Sequence, residues 1–122
     1  RETKQKIKSF TDLIAWKEAH KLAIFVYEAT KLFPKEEIYG LTNQVRRAAV
    51  SVSSNIAEGF SRRSSAEKRQ FYYQALGSLT ELRNQLLIAR DIKYLTKEKF
   101  NELANQTISV SKLINSLIKC VS

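Results

Sequence analysis

Ser51, Ser53, Ser54, Asn55 and Glu58 crowd one short stretch of the chain, and a hydroxyl among them could act as a nucleophile if a base stood beside it. No such base is near in sequence, and no strand-to-helix elbow is predicted to lift a serine clear of the backbone. His20 is the only histidine, which excludes a two-histidine metal site within the chain. Glu18, two residues before it, has the wrong spacing for the Glu-x-x-His pairs of di-iron bundles. Gly40, Gly59 and Gly77 are isolated, so contiguous sequence supplies no phosphate-cradling loop. The residues therefore assign no catalytic group, no metal site and no cofactor, and the expectation is a protein that is not an enzyme.

Contact with an anion is the chemistry the chain can offer. Twenty-one Lys and Arg against 12 Asp and Glu give a net charge of +9, and positive charge falls unevenly. Arg47, Arg62, Arg63, Lys68 and Arg69 surround the end of one predicted helix and the start of the next, and are expected to form one basic surface at one end of the fold. Such side chains hold phosphates in a salt-dependent way that is largely indifferent to base sequence. Tyr72 and Tyr73 follow directly, but Tyr72 lies on a core line, so neither is assigned a stacking role. Residues 1–9 read as a basic N-terminal tail carrying Arg1, Lys4, Lys6 and Lys8.

The elements that must carry these groups are helical. Three Gly and one Pro leave few places to turn, and 43% hydrophobic residues suffice for a core. Thr11 is the expected N-cap of a first helix running to about Lys31, with His20 on one of its two core-facing lines. Pro34 disfavours helix at Phe33 and breaks the pattern. Tyr39-Gly40 opens a second helix whose core stripe is Leu41, Val45, Ala48, Val52, Ile56 and Phe60. A further line on it, Arg46, Val50, Ser53 and Ala57, is small enough to suggest a second packed face. Gly59 reads as the stop, in a left-handed C-cap conformation. Ser64 with Glu67 matches a capping box for a third helix, and Thr96 caps a fourth. In that fourth helix Phe100, Leu103, Thr107, Val110, Ile114, Leu117 and Val121 form a heptad seam. The fold class predicted is all-α, an antiparallel up-down-up-down four-helix bundle.

The 122 residues are expected to form a single domain. The lone Cys120 cannot close an intrachain disulfide, which suits a reducing, cytoplasmic setting. No run of the roughly 18 apolar residues needed for a membrane span is present. The chain opens on Arg1 and holds no Met, as expected if the initiator has been removed or a preceding segment lies outside the sequence.

Several spaced blocks carry a resemblance. Phe10-x-Asp-Leu-x-x-Trp16-Lys-x-Ala19, Phe33-Pro34 with Glu37-x-Tyr39-Gly-Leu41, and Gln44-x-Arg-Arg-Ala-Ala-x-Ser-x-x-x-Asn-Ile-Ala-Glu-Gly59 stand in order. Phe71 with Ala75-x-Gly-Ser-x-x-Glu-Leu82, and finally Tyr94-Leu95, follow them. Together they resemble the bacterial four-helix-bundle proteins called 23S rRNA intervening-sequence proteins, or S23 proteins. The resemblance implies a protomer that assembles into a ring-like homopentamer. Some members are encoded within insertions in large-subunit ribosomal RNA genes. A related branch serves diversity-generating retroelements beside a reverse transcriptase and nucleic acid. No catalytic residue comes with the resemblance.

With a ring in view, Ile14 and Phe25 of the first helix and Arg46, Val50, Ser53 and Ala57 of the second become the expected oligomer contacts. The functional expectation is a non-enzymatic oligomer that binds RNA or other nucleic acid electrostatically. The alternative is a protein–protein adaptor or scaffold that binds no nucleic acid.

Overall fold

A computed structural model describes residues 6–121 and bears out the all-α reading. Four α-helices, α1 (Ile14–Thr30), α2 (Leu41–Ser61), α3 (Ser65–Asp91) and α4 (Lys97–Cys120), run up, down, up and down. Each packs on two others, α1 on α2 and α4, and α3 on α2 and α4, closing a four-cornered bundle. Leu22, Val26, Val52, Ile56, Leu82, Leu103 and Ile114 fill its centre. Of the basic tail, residues 1–5 lie outside the described residues.

Local chemistry explains most of the boundaries. Ser9, not Thr11, caps the entry: its hydroxyl accepts from the Thr11 N–H at 3.1 Å, and the Asp12 carboxylate reaches back to the Ser9 N–H at 3.2 Å. The reciprocal pair fixes a 3-10 turn over Phe10–Asp12, so α1 starts only at Ile14. Ser64 and Thr96 cap α3 and α4 through the N–H groups of Glu67 and Lys99. The Glu67 carboxylate accepts from the Ser64 hydroxyl at 3.1 Å, so the box there closes side chain to side chain. α3 ends in a Schellman motif, with Tyr94 N–H donating to Ala89 O at 2.8 Å and Lys93 N–H to Arg90 O at 3.1 Å. Lys93 takes φ 70° there, a place where glycine is the usual occupant.

Gly59 is not the stop expected of it. Its φ is negative, and α2 continues to Ser61. It is a point of close approach instead: a Cβ there would lie 2.6 Å from Tyr72 Cε1 and 3.1 Å from Phe71 Cβ. The close-packed side of α2 thus faces α3, where Ser51 and Ser78 share a hydrogen bond of 2.8 Å and Asn55 Nδ2 donates to Ser51 Oγ at 3.1 Å. The line expected to form a second packed face stays partly open, with Arg46, Ser53 and Ala57 half-buried and Val50 exposed. His20 also departs from its expected core position. It is exposed and stacks on Trp16 at 4.7 Å, because the buried line of α1 runs through Ala15, Ala19, Leu22 and Val26. On α4 the seam shifts near its end, from Leu117 to the buried Ile118.

At the upper end, where residues 31–40 and 92–96 turn, one carboxylate ties the two connections together. Glu37 Oε1 accepts from the Leu41 N–H at 3.0 Å and Oε2 from the Tyr94 hydroxyl at 2.8 Å, beneath the Phe33–Tyr94 ring contact. The Leu41 N–H first, then the Tyr94 hydroxyl, hold the Glu37 carboxyl below its ordinary value of 4.5. A depressed pKa in the folded state contributes stability above the ordinary value and loses it as pH falls through the lowered one. Glu37→Gln is therefore expected to lower Tm at neutral pH, with the gap from the native chain narrowing as pH drops below 4.5. Thermal melts across that range check it; a constant gap would sink the assignment.

Candidate nucleic-acid interface

The five side chains expected to form one surface separate into two groups. α2 is a continuous helix, so Arg47 stands about 22 Å along its axis from Arg62. Arg62, Arg63, Lys68 and Arg69 share the lower end with the start of α1 and the finish of α4. The expected single cluster is corrected accordingly: Arg47 belongs to a different surface.

Three of the four lower-end cations are engaged within the protomer. Lys68 Nζ donates to Phe60 O at 2.7 Å, and Arg69 Nη1 donates to Val121 O at 2.7 Å. Both satisfy carbonyls at helix C-termini, where the macrodipole is negative. Arg62 lies over the Phe71 ring at 4.5 Å and pairs with Glu58 at 3.0 Å one turn back, as their spacing allows. Arg63 is exposed and has no hydrogen bond or ion pair among the described residues.

Lys6 and Lys8 of the basic tail share this end, as does Lys119 in the last turn of α4, which sequence reasoning missed. Ile7 and Leu117 line a common cavity, so the segment carrying Lys6 and Lys8 lies against the end of that helix. The Asp12 carboxylate anchors that segment by accepting from the Lys8 N–H at 2.9 Å, which, with the Ser9 N–H, holds its pKa below the ordinary value. No local motif announces the junction, because residues 7 and 117 meet only when the bundle closes. Tyr72 is buried and Tyr73 faces outward at 58% exposure.

Arg47 lines an open groove of about 950 Å³ that runs along the outer side of α2 from the turn before it. Arg46 enters the same groove, its Nε donating to Thr30 Oγ1 at 2.8 Å and its guanidinium lying over the Tyr27 ring at 4.7 Å. Tyr39, at 93% exposure, stands at the upper mouth. Of the other expected oligomer contacts, Ile14 is 64% exposed and Phe25 is half-buried beneath Lys21. Ser51 is held by its hydrogen bond to Ser78 across to α3, and Asn55 by its donation to Ser51 O within α2; among the described residues no three metal-ligating side chains gather.

The profile of the family described as 23S rRNA-intervening sequence protein matches residues 11–116. The backbone is similar to the crystal structure of a protein with unknown function from the S23 ribosomal protein family of Bacteroides thetaiotaomicron. The two superpose with a TM-score of 0.78 at 21% identity, over 87% of this chain and 99% of that one. At that identity the likeness is one of fold. No curated protein matches the chain by sequence.

Proposed function

Because the chain belongs to the 23S rRNA-intervening sequence protein family, we propose that it is a non-enzymatic, oligomeric helical scaffold that binds RNA or another nucleic acid through its basic lower end. One observation carries the reading: the bundle gathers Arg63, Lys68, Arg69, Lys8 and Lys119 at that end, with Asp12, Glu58 and Glu67 as the nearby acids. The field of such a patch attracts phosphates even where individual cations also cap helices. Ring assembly, which the family resemblance implies, would repeat the patch and combine weak contacts through multivalency.

A ring of three or more subunits needs two different surfaces on each protomer. Ile14 and Phe25 on one side of α1, and Ser53 and Ala57 in the lower half of α2, are a candidate pair, whereas Arg46 and Val50 of the expected contacts line the groove higher on that helix. No helix among the described residues is long and apolar enough to cross a membrane, and the exposed Cys120 suits a reducing cytoplasm. A protein–protein adaptor without nucleic acid is the second reading, favoured by the exposure of Ile14 at 64% and Leu32 at 86%.

Titration of structured RNA and duplex DNA at two salt concentrations tests the proposal, together with mass by light scattering. The triple variant Arg63→Ala, Lys8→Ala, Lys119→Ala avoids the helix-capping cations. It is expected to weaken binding at low salt and flatten its salt dependence by up to about three phosphate contacts. Absence of binding by the native chain at low salt would leave the adaptor, and a monomeric mass would remove the ring.

A further inference from the structure

We propose that the groove along α2 is a second, separate nucleic-acid site, one that takes single strands by stacking their unpaired bases on Tyr39 while Arg46 and Arg47 hold the backbone. Single-strand sites combine a positively charged track with aromatic faces that any base can cover. The groove carries both. Tyr39 is 93% exposed although it is a large aromatic, and its ring makes no contact with another aromatic or cation among the described residues. Arg47 has no partner there, and the Arg46 guanidinium uses only its Nε in a hydrogen bond, leaving its two terminal nitrogens for an acceptor.

The surroundings favour a strand over an apolar partner. From Thr42 to Ser51 the groove follows α2 for about 14 Å, with Tyr39 in the turn just before it, enough for a short run of nucleotides. Asn43 and Gln44 are exposed between the tyrosine and the arginines, where amide groups can meet base edges. Glu81 is the one acid on the lining, against two guanidinium groups. A duplex would not exploit Tyr39, because its bases are already stacked on one another.

The site goes beyond the lower-end reading, and the test keeps the two apart. Fluorescence anisotropy with a labelled thymidine oligonucleotide of roughly 12 nucleotides, and with a duplex of the same length, is measured on the native chain, on Tyr39→Ala, on Arg47→Ala and on the lower-end triple variant. Circular dichroism confirms that each variant is folded. Tyr39→Ala is expected to weaken single-strand binding on the order of 10-fold while leaving duplex binding unchanged. Arg47→Ala is expected to reduce the salt slope for the single strand by about 0.7. Native single-strand affinity in Tyr39→Ala overturns the groove site and leaves the lower end standing. A change in oligomeric mass in Tyr39→Ala also overturns it, assigning the groove to a subunit contact. If the native chain binds neither probe at low salt, both readings fall together.

Discussion

Gly59→Val is expected to destabilise the protein by about 3 kcal/mol. Its first added carbon would lie 2.6 Å from Tyr72 Cε1 and 2.9 Å from Cδ1. Tyr72 is 2% exposed, so its ring has nowhere to go, and the α2–α3 pair must separate. Gly77 supplies the contrast. It also lies inside a helix, yet a Cβ there meets nothing within 4 Å, so Gly77→Ala is expected to stabilise by about 0.5–1 kcal/mol through lost chain entropy in the unfolded state. Urea unfolding of the two variants checks both signs. A neutral Gly59→Val would mean that the close approach does not constrain the helix pair.

Leu82→Ala is expected to cost roughly 3 kcal/mol, since Leu82 is 0% exposed at the middle of α3 and its neighbours can close only part of the cavity. Leu32→Ala removes the same atoms at 86% exposure, and should move stability by no more than about 0.5 kcal/mol. Denaturant midpoints measured with an unchanged slope separate the two. Similar losses at both positions would refute the assignment of the core.

Residues whose roles depend on their own turn of helix were readable in the sequence. Ser64 and Thr96 cap the helices they were expected to cap, Pro34 stands in the break, and Glu58 pairs with Arg62. Gly59 was not readable, because a stop and a close approach call for the same residue, and only the packing of Tyr72 decides between them. Thr11 and Ser9 are both good capping residues. Asp12 decides that choice by reaching back to Ser9, a pairing that favours the earlier start. His20 shares the period of the core line but sits on its flank, where stacking on Trp16 is available without burial.

The candidate site was less legible than the fold. Arg47 and Arg62 look close along the chain, and the straight run of α2 sets them far apart. The roles of Lys68 and Arg69 are set by carbonyls at Phe60 and Val121, the second of them 52 residues distant in sequence. Tyr39 carries no signal of exposure, since an aromatic beside a glycine reads equally well as a buried turn residue.

The three-residue connection 62–64 between α2 and α3 holds neither proline nor glycine. Nothing in its covalent structure forbids helix, and the break rests on Arg62 and Ser64 in extended conformations, on the Ser64 cap, and on Lys68 covering the last carbonyls of α2. Without the cap and the lysine, α2 and α3 would be free to join into one rod, and the rod's exposed flank could be covered again by the matching half of another molecule. The hairpin is thus also a latch against exchange of halves between chains, a route by which a protein of this shape forms dimers.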